Sequence, residues 1–217
     1  MSTTQSDPAI ADVADGAIGG IYGLLARRFE EPDRDGFEAL RSARIEDELQ
    51  SLVDRAGLAV TVPSLVPESD YDLHCARFND IFTVGYPEPP VPLYESAYHD
   101  EGRWEEINVD LARAYSYFDV SIDQDRREHH DHLVVELEFV GYLARLAAVR
   151  DDDRVRRARR DLLERHLLPF ARNLADAIDD EVETGIFDAQ VRFLRAVVEA
   201  DLERLEARLD ADGGEAA

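Results

Sequence analysis

The chain has 217 residues, of which 45% are hydrophobic and 33% are charged. This length and balance are typical of a globular domain with a substantial core, and they exclude a disordered chain. Its 48 acidic and 24 basic residues give a formal net charge of −24, and the sequence contains no lysine. Because no net positive field exists to displace counterions from phosphates, duplex nucleic acid is excluded as a partner.

The acidic excess also predicts something about the surroundings of the protein. Concentrated salt screens self-repulsion, and acidic groups keep a surface hydrated, so the composition indicates adaptation to salt. The sequence has no apolar run long enough to span a bilayer and no export signal at its start. One cysteine, Cys75, excludes an internal disulfide framework. We therefore expect a cytoplasmic protein without stable membrane insertion.

Apolar residues recur at helical spacing along most of the chain, and no convincing period-two run occurs. Asp33 is placed to cap one of these helices, and the paired glycines Gly19 and Gly20 allow a neighbour to approach another closely. The predicted helices cover residues 9–29, 33–43, 45–57, 69–82, 101–118, 130–150 and 183–209, with a stretch from 153 to 180 that breaks or kinks at 166–170. These patterns predict one all-α domain over 9–209 with a candidate hinge near 121–130, between a flexible tail over 1–8 and a disordered acidic tail over 210–217.

The predicted helix over 69–82 places Phe78 and Phe82 on one face and stops at Gly85. The segment 86–98 that follows contains four prolines and three tyrosines. Proline fixes φ and removes a hydrogen-bond donor, so this segment is extended and stiff. A rigid aromatic loop costs little entropy to order on binding, which suits recognition. A structural strap packed across the helices explains the same residues equally well.

A charge-dense run, Glu128 to His132, passes directly into the helix predicted over 130–150. Asp131 or a neighbour can cap that helix, and the histidines make its start sensitive to pH near neutrality. In one interpretation this is a well-capped helix with solvated histidines. In another, His129, His132 and Glu136 share a helical face and bind a metal ion, which would make the chain a metal-binding helical protein.

A run of arginines from Arg154 to Arg160 follows three aspartates. We interpret it as the solvated face of an amphipathic helix, with RNA binding by residues 154–165 as the alternative. No glycine elbow surrounds a serine, no glycine-rich loop could cradle a phosphate, and Cys75 lies on an apolar helical face. The sequence therefore favours a binding protein over an enzyme, with no cofactor and no resident metal.

Four motifs together resemble the TorD/DmsD/NarJ family of chaperones, all-helical proteins that mature molybdopterin oxidoreductases. Residues 78–82 match the aromatic-x-x-Leu-Phe signature with isoleucine in place of leucine. Residues 128–132 match Glu-Pro-x-Asp-His, except that His129 stands where proline is usual. The segments 94–98 and 164–170 are similar to two further family motifs, and their order and spacing cover nearly the whole chain.

The resemblance implies a cytoplasmic chaperone that binds the twin-arginine leader, or the apo form, of a molybdopterin oxidoreductase catalytic subunit of the dimethyl sulfoxide, trimethylamine oxide or nitrate reductase type. Such a chaperone assists insertion of the cofactor and delays export of the enzyme. Carboxylates suit the guanidinium groups of such a leader and aromatic side chains suit its apolar stretch. The implied client-binding residues are Phe78, Phe82, Gly85, Tyr94, Glu95, Ser96, Tyr98, Glu128, His130, Asp131 and His132. Both a monomer and a domain-swapped homodimer remain open.

Overall fold

The computed structural model describes residues 8–42, 44–67, 70–100, 102–122, 129–181 and 184–214. Over these ranges the all-α prediction is confirmed, since helices account for the regular structure and strands are absent. The helices are α1 (Pro8–Phe29), α2 (Arg34–Leu40), α3 (Arg44–Ala56), α4 (Tyr71–Phe78), α5 (Arg103–Tyr117), α6 (Leu133–Arg150), α7 (Asp153–Leu162), α8 (Leu168–Asp179) and α9 (Ile186–Gly214). Two π-helical turns, Asn79–Thr83 and Leu163–Leu167, and one 3₁₀ turn, Glu95–Tyr98, complete the set.

Most helix boundaries fall close to those predicted. The Asp33 carboxylate accepts a hydrogen bond from the Gly36 N–H at 2.6 Å and caps α2, as the sequence predicts. By contrast, α9 continues to Gly214, past the predicted end at residue 209 and into the segment for which the sequence predicts disorder. None of the helices in the described ranges combines the length and apolar character needed to cross a bilayer.

The predicted break at residues 166–170 is instead a continuous passage from α7 to α8. Pro169 lies in the first turn of α8, directly after the π-helical turn Leu163–Leu167. Proline cannot donate to the carbonyl four residues earlier, and the wider π turn accommodates this without ending the helix. The turn brings His166 to the interior, where it is buried.

The centre of the bundle is the packing of α1 against α6. A Cβ at Gly19 would lie 2.5 Å from the Arg145 Cγ and 2.9 Å from the Gly141 carbonyl oxygen. The Arg145 guanidinium also donates to the Gly19 carbonyl at 2.6 Å. The prediction that this glycine allows a close approach is therefore confirmed, with α6 as the neighbour.

Two arginines of the basic run lie inside the bundle rather than on its surface. Arg156 and Arg159 are 1% and 0% exposed. The Arg156 Nε lies 3.0 Å from an Asp15 carboxylate oxygen, and the Arg159 Nη2 lies 3.1 Å from an Asp201 oxygen. The interpretation of the whole run as a solvated face is thus wrong, because buried aspartates on α1 and α9 draw these two side chains inward.

The same contacts remove the basis for the RNA-binding alternative. Arg154, which is exposed, pairs with Asp152 at 2.8 Å, and Arg165 pairs with Asp110 at 2.6 Å. With two arginines buried and others paired on the surface, the run presents no continuous basic patch for phosphates.

Candidate functional site

Segments that are distant in sequence line one cleft of about 1000 Å³. They are the end of α1, the end of α4 with its π-helical turn, the proline-rich segment, the start of α5 and the start of α6. We call this feature the aromatic cleft. The lining residues that matter most here are Phe29, Glu30, Glu31, Phe78, Phe82, Gly85, Glu88, Tyr94, Ser96, Trp104, His129 and His132. Six of the predicted client-binding residues are among them, namely Phe78, Phe82, Gly85, Tyr94, Ser96 and His132.

The floor of the aromatic cleft is a cluster of phenylalanines. Phe78 and Phe82 are almost completely buried, with ring centroids 5.2 Å apart. Phe82 also packs edge-on against Phe29 of α1 at 6.1 Å and against Phe187 of α9 at 5.4 Å. The aromatic motif of α4 therefore belongs to the core and supports the cleft from below.

The proline-rich segment forms one side of the cleft and is fixed at both ends. The Val91 N–H donates to the Ile81 carbonyl at 2.9 Å, and the Tyr98 hydroxyl donates to the Pro92 carbonyl at 3.0 Å. A Cβ at Gly85 would lie 2.1 Å from the Glu88 carbonyl oxygen, so only glycine fits this turn. The later part of the segment is thus a strap packed over the helices. The first residue of the segment, Tyr86, is 99% exposed.

Tyr94 and His132 join the strap to the start of α6. They form an isolated antiparallel bridge, flanked by hydrogen bonds from the Leu133 N–H to the Leu93 carbonyl and from the Glu95 N–H to the Asp131 carbonyl, both 2.9 Å. The two rings meet edge-to-face, with centroids 4.9 Å apart. This bridge holds the motif at residues 94–98 beside the motif that ends at His132.

His132 also caps α6, a role that the sequence assigns to Asp131 or a neighbour. Its Nδ1 accepts a hydrogen bond from the Val134 N–H at 3.3 Å. This cap fixes the orientation of the His132 ring, which lines the cleft.

His129 and Trp104 close the opposite side of the cleft. Their ring centroids lie 5.7 Å apart in an edge-to-face arrangement, and His129 also approaches Tyr94 at 6.2 Å. The helical pattern of α5 places Trp104 on the buried side, but its side chain is 51% exposed. Trp104 is the second residue of α5 and lines the cleft.

Glu95, predicted to meet a guanidinium group, points into the protein. It is 2% exposed, and its Oε2 lies 2.9 Å from the His166 Nδ1. The other ring nitrogen of His166 lies 3.2 Å from an Asp110 carboxylate oxygen. Burial lowers the pKa of His166, but the hydrogen bonds and charges of Glu95 and Asp110 outweigh it and raise that pKa. Glu95 thus fixes the motif at residues 94–98 to α5 and to the π turn after α7.

Asp131 and Glu136 are completely buried beside Glu95. One Asp131 oxygen accepts the Ser96 N–H at 3.2 Å, while the other, like both oxygens of Glu136, has no hydrogen-bond partner within the described residues. Burial raises the pKa of Glu136 well above its usual range, and the charges of Glu95 and Asp131 raise it further. Burial and the two neighbouring carboxylates therefore favour the neutral, protonated form of Glu136.

The metal-binding alternative is wrong for this arrangement. His129 and His132 line the cleft, whereas Glu136 is buried behind the start of α6. Within the described ranges, no three side chains of the types that ligate metals converge. The i, i+3, i+7 spacing fails because residue 129 precedes the helix, which begins at Leu133.

The remaining predicted residues lie outside the cleft. His130 stacks on Tyr115 at 5.8 Å, and its carbonyl accepts the Tyr115 hydroxyl at 2.8 Å. Tyr98 packs on Phe170 of α8 with ring centroids 5.8 Å apart. Glu128 and most of the candidate hinge near 121–130 lie outside the described residues.

The sequence did not indicate the two glutamates that the end of α1 supplies to the cleft, one glutamate of the strap, or the tryptophan of α5. Glu30 and Glu31 follow the last residue of α1, Glu88 belongs to the strap, and Trp104 lies at the start of α5. Charged residues after a helix end are ordinary surface features, so only the tertiary structure brings them to the cleft. The single tryptophan of the chain was a usable signal, since large aromatic side chains are enriched at interfaces.

The chain is similar to several known proteins. The family model described as nitrate reductase delta subunit matches residues 39–176. The chain is 39% identical to the selenate reductase assembly chaperone protein of Thauera selenatis and 33% identical to the chlorate reductase assembly chaperone protein of Ideonella dechloratans. Each match extends over 171 residues and covers 75% of this chain and 79% of the relative.

Two further similarities extend over more of the chain. The perchlorate reductase assembly chaperone protein of Dechloromonas aromatica is 26% identical over 216 residues, covering 93% of this chain and 96% of the relative. A crystal structure from Archaeoglobus fulgidus, of a protein assigned to redox enzyme maturation, matches with a TM-score of 0.52 and 20% identity over 84% of this chain and 93% of that one. This last likeness shows the fold. The chain therefore belongs to the nitrate reductase delta subunit family, which confirms the resemblance to the TorD/DmsD/NarJ chaperones.

Proposed function

We propose that this protein is an assembly chaperone for a molybdopterin oxidoreductase and that the aromatic cleft binds the twin-arginine leader of the catalytic subunit. Binding takes place in the cytoplasm, before export, and holds the apoenzyme until its cofactor is inserted. The chaperone catalyses no reaction itself. The single observation that carries the proposal is the meeting of the aromatic motif, the strap and the start of α6 around one cleft.

The names of the relatives support the class of partner. The relatives from Thauera, Ideonella and Dechloromonas are named as assembly chaperones of selenate, chlorate and perchlorate reductases. A chain of the same family, similar over three quarters of its length or more, is expected to serve a reductase as well. Assembly chaperones work by binding, which agrees with a site built from aromatic rings and hydrogen-bonded turns.

The shape and chemistry of the cleft suit an extended peptide with apolar side chains. Its walls are a rigid proline-rich strap and the Tyr94–His132 bridge. Because these walls are already ordered, the protein loses little conformational entropy when a peptide binds against them. Tyr86 and Trp104 expose large aromatic surfaces at the strap and at the start of α5. Aromatic anchors of this kind supply much of the energy in peptide and protein interfaces.

The single tryptophan of the chain offers a direct assay. Trp104 lines the cleft and is half exposed, so a bound peptide that contains no tryptophan will change its fluorescence. The probe is a synthetic peptide in which two arginines are followed by a stretch of leucine and alanine. We expect saturable binding by fluorescence and by calorimetry. Absence of binding, together with absence of any molybdopterin oxidoreductase from tagged protein purified out of its own cells, would refute the proposal.

A pair of matched variants separates cleft binding from general surface binding. Tyr86→Ser removes an exposed aromatic side chain beside the cleft, and Tyr117→Ser removes one that is 78% exposed at the end of α5. We expect Tyr86→Ser to weaken the peptide about tenfold, roughly 1.4 kcal/mol, and Tyr117→Ser to leave it unchanged. Neither change removes a buried contact, so both variants should unfold at the wild-type temperature.

A further inference from the structure

The charged side chains that line the aromatic cleft are all acidic. Glu30 and Glu31 enter it from the end of α1, and Glu88 enters it from the strap. No arginine lines it within the described part of the chain. The cleft therefore combines an aromatic floor with a negatively charged lining. This combination is complementary to a ligand that is both cationic and apolar.

The carboxylates that the sequence assigned to this task are occupied elsewhere. Glu95 is engaged by His166, and Asp131 receives the Ser96 N–H, and both are buried. A guanidinium group could reach them only by breaking these contacts and opening the junction between the strap and α6. Glu31 and Glu88 are exposed at the surface of the aromatic cleft, so a ligand can reach them without opening that junction.

The glutamates at the end of α1 lie beside the phenylalanine floor, and this sets the direction in which a peptide would lie along the cleft. Glu30 and Glu31 directly follow Phe29, whose ring packs against Phe82 at 6.1 Å. A cation held at the end of α1 therefore lies beside the phenylalanine cluster, and the chain that continues from it can cover the aromatic surface. Carboxylates bind guanidinium in a planar, two-bond arrangement.

We propose that Glu31 and Glu88 form the subsite that holds two adjacent arginines of the bound leader. This inference rests on the proposed function and assigns the recognition of its charged part. The α1 end and the strap hold one arginine each, and the apolar stretch of the peptide lies over the phenylalanine floor. Because the two-bond geometry requires guanidinium, the subsite discriminates arginine from lysine as well as from neutral side chains.

The test compares a cleft variant with a charge-matched control. The double variant Glu31→Gln with Glu88→Gln removes two carboxylates from the subsite. The control, Glu48→Gln with Glu203→Gln, removes two exposed carboxylates from α3 and α9 and changes the net charge equally. Three synthetic peptides with the same leucine and alanine stretch serve as probes, carrying two arginines, two lysines or two glutamines at the front. Binding is measured by Trp104 fluorescence at physiological salt.

Wild-type protein and the control should bind the arginine peptide about tenfold or more tightly than the glutamine peptide, with the lysine peptide between them. In the cleft variant this preference should fall to about twofold or less, while affinity for the glutamine peptide stays the same. A cleft variant that retains the wild-type preference would overturn the inference and leave the proposed function standing. Failure of wild-type protein to bind any of the peptides would overturn both.

Discussion

Glu136 offers the sharpest test of the interior behind the cleft. Its carboxyl group is fully buried, lies beside two other acids and has no hydrogen-bond partner within the described residues. Because its pKa is raised above the usual value of 4.5, the folded protein binds this proton more tightly than the unfolded chain does. The sign follows from linkage: stability decreases as pH rises above about 4.5, until the folded pKa is passed. At higher pH the folded protein must either keep this proton or bury an unpaired charge. Either alternative costs on the order of 1–3 kcal/mol.

Glu136→Gln removes this cost, since glutamine is neutral at every pH and nearly the same size. We expect the variant to gain about 1–3 kcal/mol over wild type near pH 8 and almost nothing near pH 4.5. At roughly 2–4 °C per kcal/mol, the gain is visible in thermal unfolding and in urea titrations. Glu138→Gln, on the exposed face of the same helix, is the control and should show no such pH dependence. An equal effect of Glu136→Gln at both pH values would refute the reasoning.

Three further predictions concern the bundle and its histidine. Arg159→Met should destabilise the fold by about 3–5 kcal/mol, measured by urea unfolding, because it removes the ion pair of the fully buried Asp201, whereas Arg157→Met on the exposed face should change little. Gly19→Ala places a methyl group 2.9 Å from a backbone oxygen of α6 and should cost about 1–3 kcal/mol, while Gly16→Ala, whose nearest neighbour is 4.0 Å away, should be neutral or mildly stabilising. In NMR titrations His166 should show a pKa above 6.5, and the stability it contributes should be complete below about pH 6.5 and lost as pH rises through the folded pKa. A normal or lowered value would contradict its contacts with two carboxylates.

Several features of this protein follow from local sequence. Apolar periodicity over long segments predicts the helices, because a helix in water must bury one face and the spacing of that face is fixed at 3.6 residues. Asp33 and Gly85 act through their own backbone neighbours, so their roles as a cap and as a turn can be recognised without the rest of the chain. The family motifs are likewise short segments, which is why the resemblance was available from sequence.

Tertiary structure decided which charged side chains face solvent and which face the interior. Arg156 and Arg159 look like surface residues in the sequence, but aspartates more than 40 residues away bury them. Glu95 and Asp131 look like ligand-binding carboxylates, but a histidine from a π-helical turn and a backbone N–H of the strap engage them. The cost of burying a charge depends on partners brought together by folding, and helical periodicity carries no information about those partners. For the same reason the acidic lining of the aromatic cleft, drawn from α1 and the strap, emerged only when the helices were packed together.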